Sequence, residues 1–323
     1  MKLTDSESKK VQILRGLAIL AVVFIHNTPM GLTQVFIRPF LNFSVGLFLF
    51  FSGMLSNAEK WNPLKRICKV IVPYCIWTFI YSVGKNIGTP TSILSSFLTS
   101  LIMANAAGML YYVFVYCEFT LLIPLIDKLA KSKMKYWGFA IAPLEIIVMR
   151  FLPIILGQEI HEAVEAVMSV SCLGWFSYFY LGYLIGNKHI SVVSSQKKIA
   201  VLWAVSVLLQ YIEGYLYYLF GDSNCGTQLK LTAILSGVLF ALLAYNYITN
   251  DCEGRSQVFK LLGDNAFGIY FSHMAVMGVL NFIPGYLQYA VYPLNAIISL
   301  SLSVIFVLLG KKILGNFSKY LAL

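Results

Sequence analysis

In a chain of 323 residues, 59% are hydrophobic and only 12% charged, with a mean hydropathy of +0.76. Soluble domains carry about 25% charged residues, and a soluble fold of this size needs a polar exterior that this composition cannot supply; lipid is its solvent. The net charge of +10 does not indicate nucleic acid, because the basic residues form short clusters between apolar stretches, as positive-inside topology requires.

A bilayer core is about 30 Å thick and a helix rises about 1.5 Å per residue, so stretches of roughly 20 apolar residues mark the crossings. Residues 1–10 are polar and run directly into the first stretch, which has no small-residue cleavage site behind it and reads as a retained helix. Ten spans are predicted, at 11–28, 40–56, 70–83, 108–126, 137–156, 169–186, 200–220, 229–248, 266–283 and 291–309. The segment 91–104 is apolar but short and rich in Ser and Thr, which suits a re-entrant or interfacial helix. With that segment not crossing, only Arg38, Lys85, Arg150 and Lys230 of the 24 basic residues fall opposite the N-terminal side. Both termini are therefore expected in the cytoplasm. No internal repeat or soluble domain interrupts the pattern, and residues 1–323 read as one all-α polytopic membrane domain. The six cysteines form no CxxC pair and give no reason to expect disulfides or zinc.

Several polar residues stand inside these spans. Arg15 and His26 are eleven residues apart, which is three helical turns plus about 20°, so they share one face with about 16 Å between them. Arg15 falls at the cytoplasmic surface and His26 most of the way across. Each has an ordinary structural explanation: a snorkelling anchor for Arg15 and an interhelical hydrogen bond for His26. Arg66 and Lys69 lie at i and i+3 at the start of the third span, one face of a helix if it has begun there. Ser52 and Gly53 form a small-residue pair suited to close helix packing. Glu118 lies in mid-span, where a carboxylate is costly unless paired, so a role orienting a histidine or meeting a cation such as Arg15 is expected. Glu145 and Glu213 also fall in spans. His273 lies about 11 residues into the ninth span, at a depth comparable to His26, with Tyr270 one turn before it on the same face; a structural hydrogen bond is the ordinary reading and a supporting catalytic role the sharper one. Glu159, Glu162 and Glu165 flank His161 in an outer loop and read as a solvated helix face rather than a metal site.

RGLAILAVVFIH (Arg15–His26) resembles the opening of the membrane-bound acyltransferase-3 family: a basic residue, Gly, an aliphatic run, then His. FSVGLFLFFSGML is similar to that family's second-helix pattern, and RICKVIVPY to its basic-x-x-basic motif leading to Pro-Tyr. LYYVFVYCEFTLLIPLI, WFSYFYLGYLIGN and LGDNAFGIYFSHMAV follow in the family's order and spacing. The resemblance implies transfer of an acyl group, commonly acetyl from cytosolic acetyl-CoA, to a hydroxyl or amine of a glycan, lipid-linked sugar or similar acceptor, at the outer face of a bacterial cytoplasmic membrane. It carries the family's functional positions onto Arg15, His26, Arg66 and Lys69, and it implies no metal. Gln12 replaces a frequent acidic residue, Lys69 an arginine, Tyr111 a tryptophan and Thr120 a tyrosine.

Physical chemistry is compatible with that implication. The phosphates of CoA need several cations at the cytoplasmic surface, where Arg15, Lys65, Arg66 and Lys69 map, although a solvated basic loop is the preferred reading for Lys60 and Lys65. Acyl transfer needs a base or a nucleophilic carrier, and an imidazole serves as either; spacing does not distinguish these two roles for His26. Buried His, Glu and Arg along a helix bundle would also suit a transporter of a small molecule or glycan intermediate. That alternative prefers paired broken helices in two halves, and none is visible. A receptor or scaffold would have no need of His26.

Overall fold

The computed structural model describes residues 3–156, 168, 170–192, 195–250, 253–254 and 256–323. Among them there are helices and turns and no strand. Helix α1 (Asp5–Asn27) starts inside the polar N-terminal stretch, because Thr4 and Glu7 form a capping box: Glu7 N donates to Thr4 Oγ1 and Thr4 N donates to the Glu7 carboxylate, 2.7 Å away. Lys10 is fully buried. Its Nζ donates to the carbonyls of Ile248 (3.2 Å) and Asn250 (2.5 Å), at the end of α10 (Leu231–Thr249), where helix carbonyls lack intrahelical donors.

The other helices are α2 (Leu32–Ile37), α3 (Ser44–Met54), α4 (Pro63–Lys85), α5 (Ile93–Met103), α6 (Tyr111–Lys131), α7 (Ile141–Leu156), α8 (Phe176–Gly186), α9 (Gln196–Leu219), α11 (Gln257–Asp264), α12 (Ala266–Asn281), α13 (Tyr286–Tyr289) and α14 (Leu294–Leu314). Helix α1 is the hub, touching α3, α10, α11, α12 and α14. It meets α11 backbone to backbone: a Cβ on Gly16 would stand 1.9 Å from Phe259 O, and one on Gly263 would stand 1.8 Å from Gln12 O. Helices α3 and α8 dock in the same way. A Cβ on Gly53 would lie 2.0 Å from Phe179 O, so Gly53 makes the close approach expected near Ser52, while Ser52 itself turns to a cavity wall.

Five helical stretches among the described residues are long and apolar enough to cross a membrane: Leu32–Met54, Pro63–Lys85, Gln196–Leu219, Leu231–Thr249 and Leu294–Leu321. The remaining expected spans coincide with α1, α6, α7, α8 and α12, of which α7, α8 and α12 have 16, 11 and 16 residues. Helix α5 has 11 residues, about 16 Å at the helical rise, well short of a crossing. The chain after it runs without helical structure into the core, with Ala104, Ala106, Ala107, Met109 and Leu110 all buried. Irregular backbone is tolerated at such depth when protein surrounds it. This segment brings the start of α6 to the end of α1 that carries His26.

Candidate functional site

A cavity of about 980 Å³ opens beside the N-terminal half of α1, with Arg15, Arg66, Lys69 and Lys319 in its lining and no Asp or Glu. Phe48, Phe51, Val70 and Phe267 supply apolar wall between the cations. Arg15 donates to Gln12 Oε1 at 3.1 Å. The residue that departs from the family's frequent acidic one thus orients the guanidinium without neutralising it. Arg66 donates to Ser56 Oγ at 2.9 Å and more distantly to the Tyr116 hydroxyl at 3.4 Å. Both of these partners are neutral as well. Ser52 lines the same cavity, and its Oγ is buried without a hydrogen-bond partner. Lys65 and Lys60 are not in the lining, in keeping with a solvated loop.

Lys319 is the functional candidate that sequence reasoning missed. It counted only as a marker of the cytoplasmic side. The segment bearing it is fastened by Trp77, whose Nε1 donates to Leu321 O at 3.0 Å, a contact spanning most of the chain that no local pattern announces.

A second cavity, of about 830 Å³, lies at the C-terminal end of α1 and is lined by His26, Arg38, Tyr111, Arg150, Trp175, Asp222 and Gln228 among others. Here charge is mostly balanced: Arg150 and Asp222 pair at 2.7 Å. Tyr111 stacks against Trp175 with ring centroids 5.9 Å apart, so the aromatic wall survives the replacement of tryptophan by Tyr111. The two cavities share exactly two wall residues in common, Tyr112 and Tyr270. Their rings meet at 5.6 Å, and the Tyr270 hydroxyl donates to Met109 O in the irregular segment.

His26 and His273, matched in depth by helix arithmetic, are in contact, with ring centroids 5.1 Å apart. His273 is completely buried, and its Nδ1 faces two carbonyl oxygens, Ile269 O at 3.1 Å and Tyr270 O at 2.7 Å. Carbonyls only accept, so Nδ1 of the neutral ring carries the proton and Nε2 holds the lone pair. That Nε2 is buried and has no hydrogen-bond partner. His26 stands at the cavity wall with His273 behind it.

The geometry does not bring Glu118 to the imidazoles or to Arg15. Its carboxylate accepts from Cys172 N at 2.7 Å, and it lines neither cavity. The reason is local: Cys172 opens the turn that leads into α8, and its amide needs an acceptor inside the core. Glu145 approaches the same turn, 3.2 Å from where a Cβ on Gly174 would stand. Glu213 receives Leu231 N, Thr232 N and the Thr232 hydroxyl at the start of α10. The acidic cluster Glu159, Glu162 and Glu165 with His161 lies outside the described residues.

The family model described as an acyltransferase domain matches residues 9–311. No curated protein and no solved structure matches the chain.

Proposed function

The chain belongs to the acyltransferase-3 family and is a membrane acyltransferase, and from that premise we propose that it takes an acetyl group from cytosolic acetyl-CoA and delivers it to a hydroxyl or amine of a glycan or related acceptor at the outer face. The observation that carries this reading is the pairing of a cavity bearing four cationic side chains and no Asp or Glu with a histidine-lined cavity across one tyrosine wall. The phosphates of CoA are the natural counterions for Arg15, Arg66, Lys69 and Lys319. The pantetheine arm then extends along α1 toward Tyr112 and Tyr270, over the roughly 16 Å that separates the levels of Arg15 and His26.

At the wall, the acceptor oxygen or nitrogen attacks the thioester carbonyl carbon. His26 accepts the proton, the C–S bond breaks, and the imidazolium returns that proton to the departing CoA thiolate, which leaves on the cytoplasmic side as the thiol and restores neutral His26. The lone pair on His273 Nε2 has no partner in the resting structure, and His26 is the neighbouring ring; a small ring movement that brings a protonated His26 N–H to this acceptor gives His273 a supporting role in transfer. Tyr270 supports this arrangement through Met109. Glu118 fixes the entry to α8 and takes no part in proton transfer.

Ten crossings with both termini in the cytoplasm complete the proposal, which puts the four-cation cavity inside and Arg38 and Arg150 outside. Purified protein in nanodiscs, given labelled acetyl-CoA, tests the reading. Donor binding and hydrolysis or transfer support it; folded protein that neither binds nor turns over the donor contradicts it.

A further inference from the structure

Arg38 lines the outer cavity with His26, and no part of the transfer chemistry uses it. It has no carboxylate partner among the described residues. One of its terminal nitrogens donates to Ile25 O at 3.3 Å, and its Nε is buried with no partner. Capping α1 at Ile25 is a common use of a cation at a helix C-terminus. It occupies one of five donors, and it does not require a charge to face a cavity. The acidic member of that cavity, Asp222, is already paired with Arg150 at 2.7 Å, which leaves the cavity one positive charge in excess.

The side chain is also held in place. The loop that carries Asp222 and Gln228 rests on it, since a Cβ on Gly226 would stand 2.7 Å from Arg38 Cδ. Gln228 lines the same cavity and spends its amide nitrogen on Ser44 Oγ at 3.1 Å. Its Oε1 is buried without a partner, an acceptor available to a hydroxyl. A fixed, unopposed guanidinium beside free acceptor capacity is costly at membrane depth unless a ligand completes it.

We propose that Arg38 is the recognition site for an oxyanion on the acceptor, so that the enzyme acts on acidic saccharides carrying a carboxylate or a phosphate, with Gln228 accepting from a neighbouring hydroxyl. This inference rests on the outer cavity being the acceptor cavity. Arg38 binds and orients the acceptor, while proton transfer belongs to His26.

The test is isothermal titration of the full-length protein in nanodiscs with methyl glucuronide, glucose 1-phosphate and methyl glucoside, alongside acetyl-CoA. At least one of the two anions is expected to bind about tenfold or more tighter than the neutral glucoside, the scale of a charge-assisted hydrogen bond. Arg38→Gln should remove that preference and leave the glucoside unchanged, whereas Arg38→Lys should keep part of it. Anions that bind the native protein no better than the glucoside, or whose advantage survives Arg38→Gln, overturn the proposal. The native comparison decides even if the glutamine variant does not fold. Loss of acetyl-CoA binding would instead strike the donor-cavity reading, so the two failures are distinguishable.

Discussion

The two cavities differ in how their charges are met. In the inner one, Arg15 and Arg66 are held by Gln12, Ser56 and Tyr116, all neutral, and no Asp or Glu joins Lys69 and Lys319 in the lining. In the outer one, Arg150 has Asp222 at 2.7 Å and the titratable centre is a pair of imidazoles 5.1 Å apart. Unopposed cations prepare a site for a polyanion; a pair of neutral rings prepares one for moving a proton. On the proposed function, the contrast puts donor binding at one end of α1 and chemistry at the other, and each prediction below probes one side of it.

The largest effect is expected at His26. His26→Ala should lower transfer by about 10²- to 10⁴-fold, the usual scale of general base catalysis, with acetyl-CoA affinity unchanged; steady-state transfer and equilibrium donor binding separate the two. Wild-type transfer by this variant would remove His26 from the chemistry. Next come Arg15→Ala and Arg66→Ala, each expected to weaken donor binding by roughly ten- to a hundredfold through loss of charge-assisted contacts. Unchanged donor affinity in both would mean that the inner cations serve topology alone.

Glu118 sharpens the comparison from outside both cavities. Glu118→Ala leaves the Cys172 amide without its acceptor and should cost about 1–3 kcal/mol of stability, read by thermal unfolding in detergent. Glu118→Gln retains an acceptor oxygen and should recover most of the stability and all of the transfer; a folded but inactive glutamine variant would give Glu118 a part in the chemistry. The smallest effect belongs to Lys319. This residue is exposed, so Lys319→Ala should weaken donor binding only about two- to fivefold, as exposed ion pairs do. A loss as large as that of Arg15→Ala would make the C-terminal segment a principal part of the donor site.

Much of this was legible because it depends on composition and helical period. A chain so apolar had to be helical in lipid, and the eleven-residue spacing placed Arg15 and His26 on one face before any fold was considered. The same arithmetic matched His273 to His26 in depth, and the rings do touch. Thr4 and Glu7 carried a readable capping box, yet their polarity left them outside the first predicted span, 11–28. What stayed hidden depends on long-range contact. The division into two cavities is built by Tyr112 at the start of α6 and Tyr270 on α12, brought together by an irregular segment without periodicity. Cost at mid-span singled out Glu118, but its hydrogen-bond partner, Cys172, is 54 residues away and no local pattern announces it. Arg38 registered only as an exception to the charge bias.

Cys68 offers the most direct test of the division of labour, because it is exposed and lines the inner cavity while Cys172 and Cys225 are buried. The rate of its alkylation by a membrane-impermeant maleimide, identified by peptide mapping, should fall on adding acetyl-CoA to the native protein and to His26→Ala alike, and the protection should weaken in Arg15→Ala. A Cys68 rate that saturating acetyl-CoA leaves unchanged, in protein actively transferring acetyl groups, would contradict a donor site in the inner cavity.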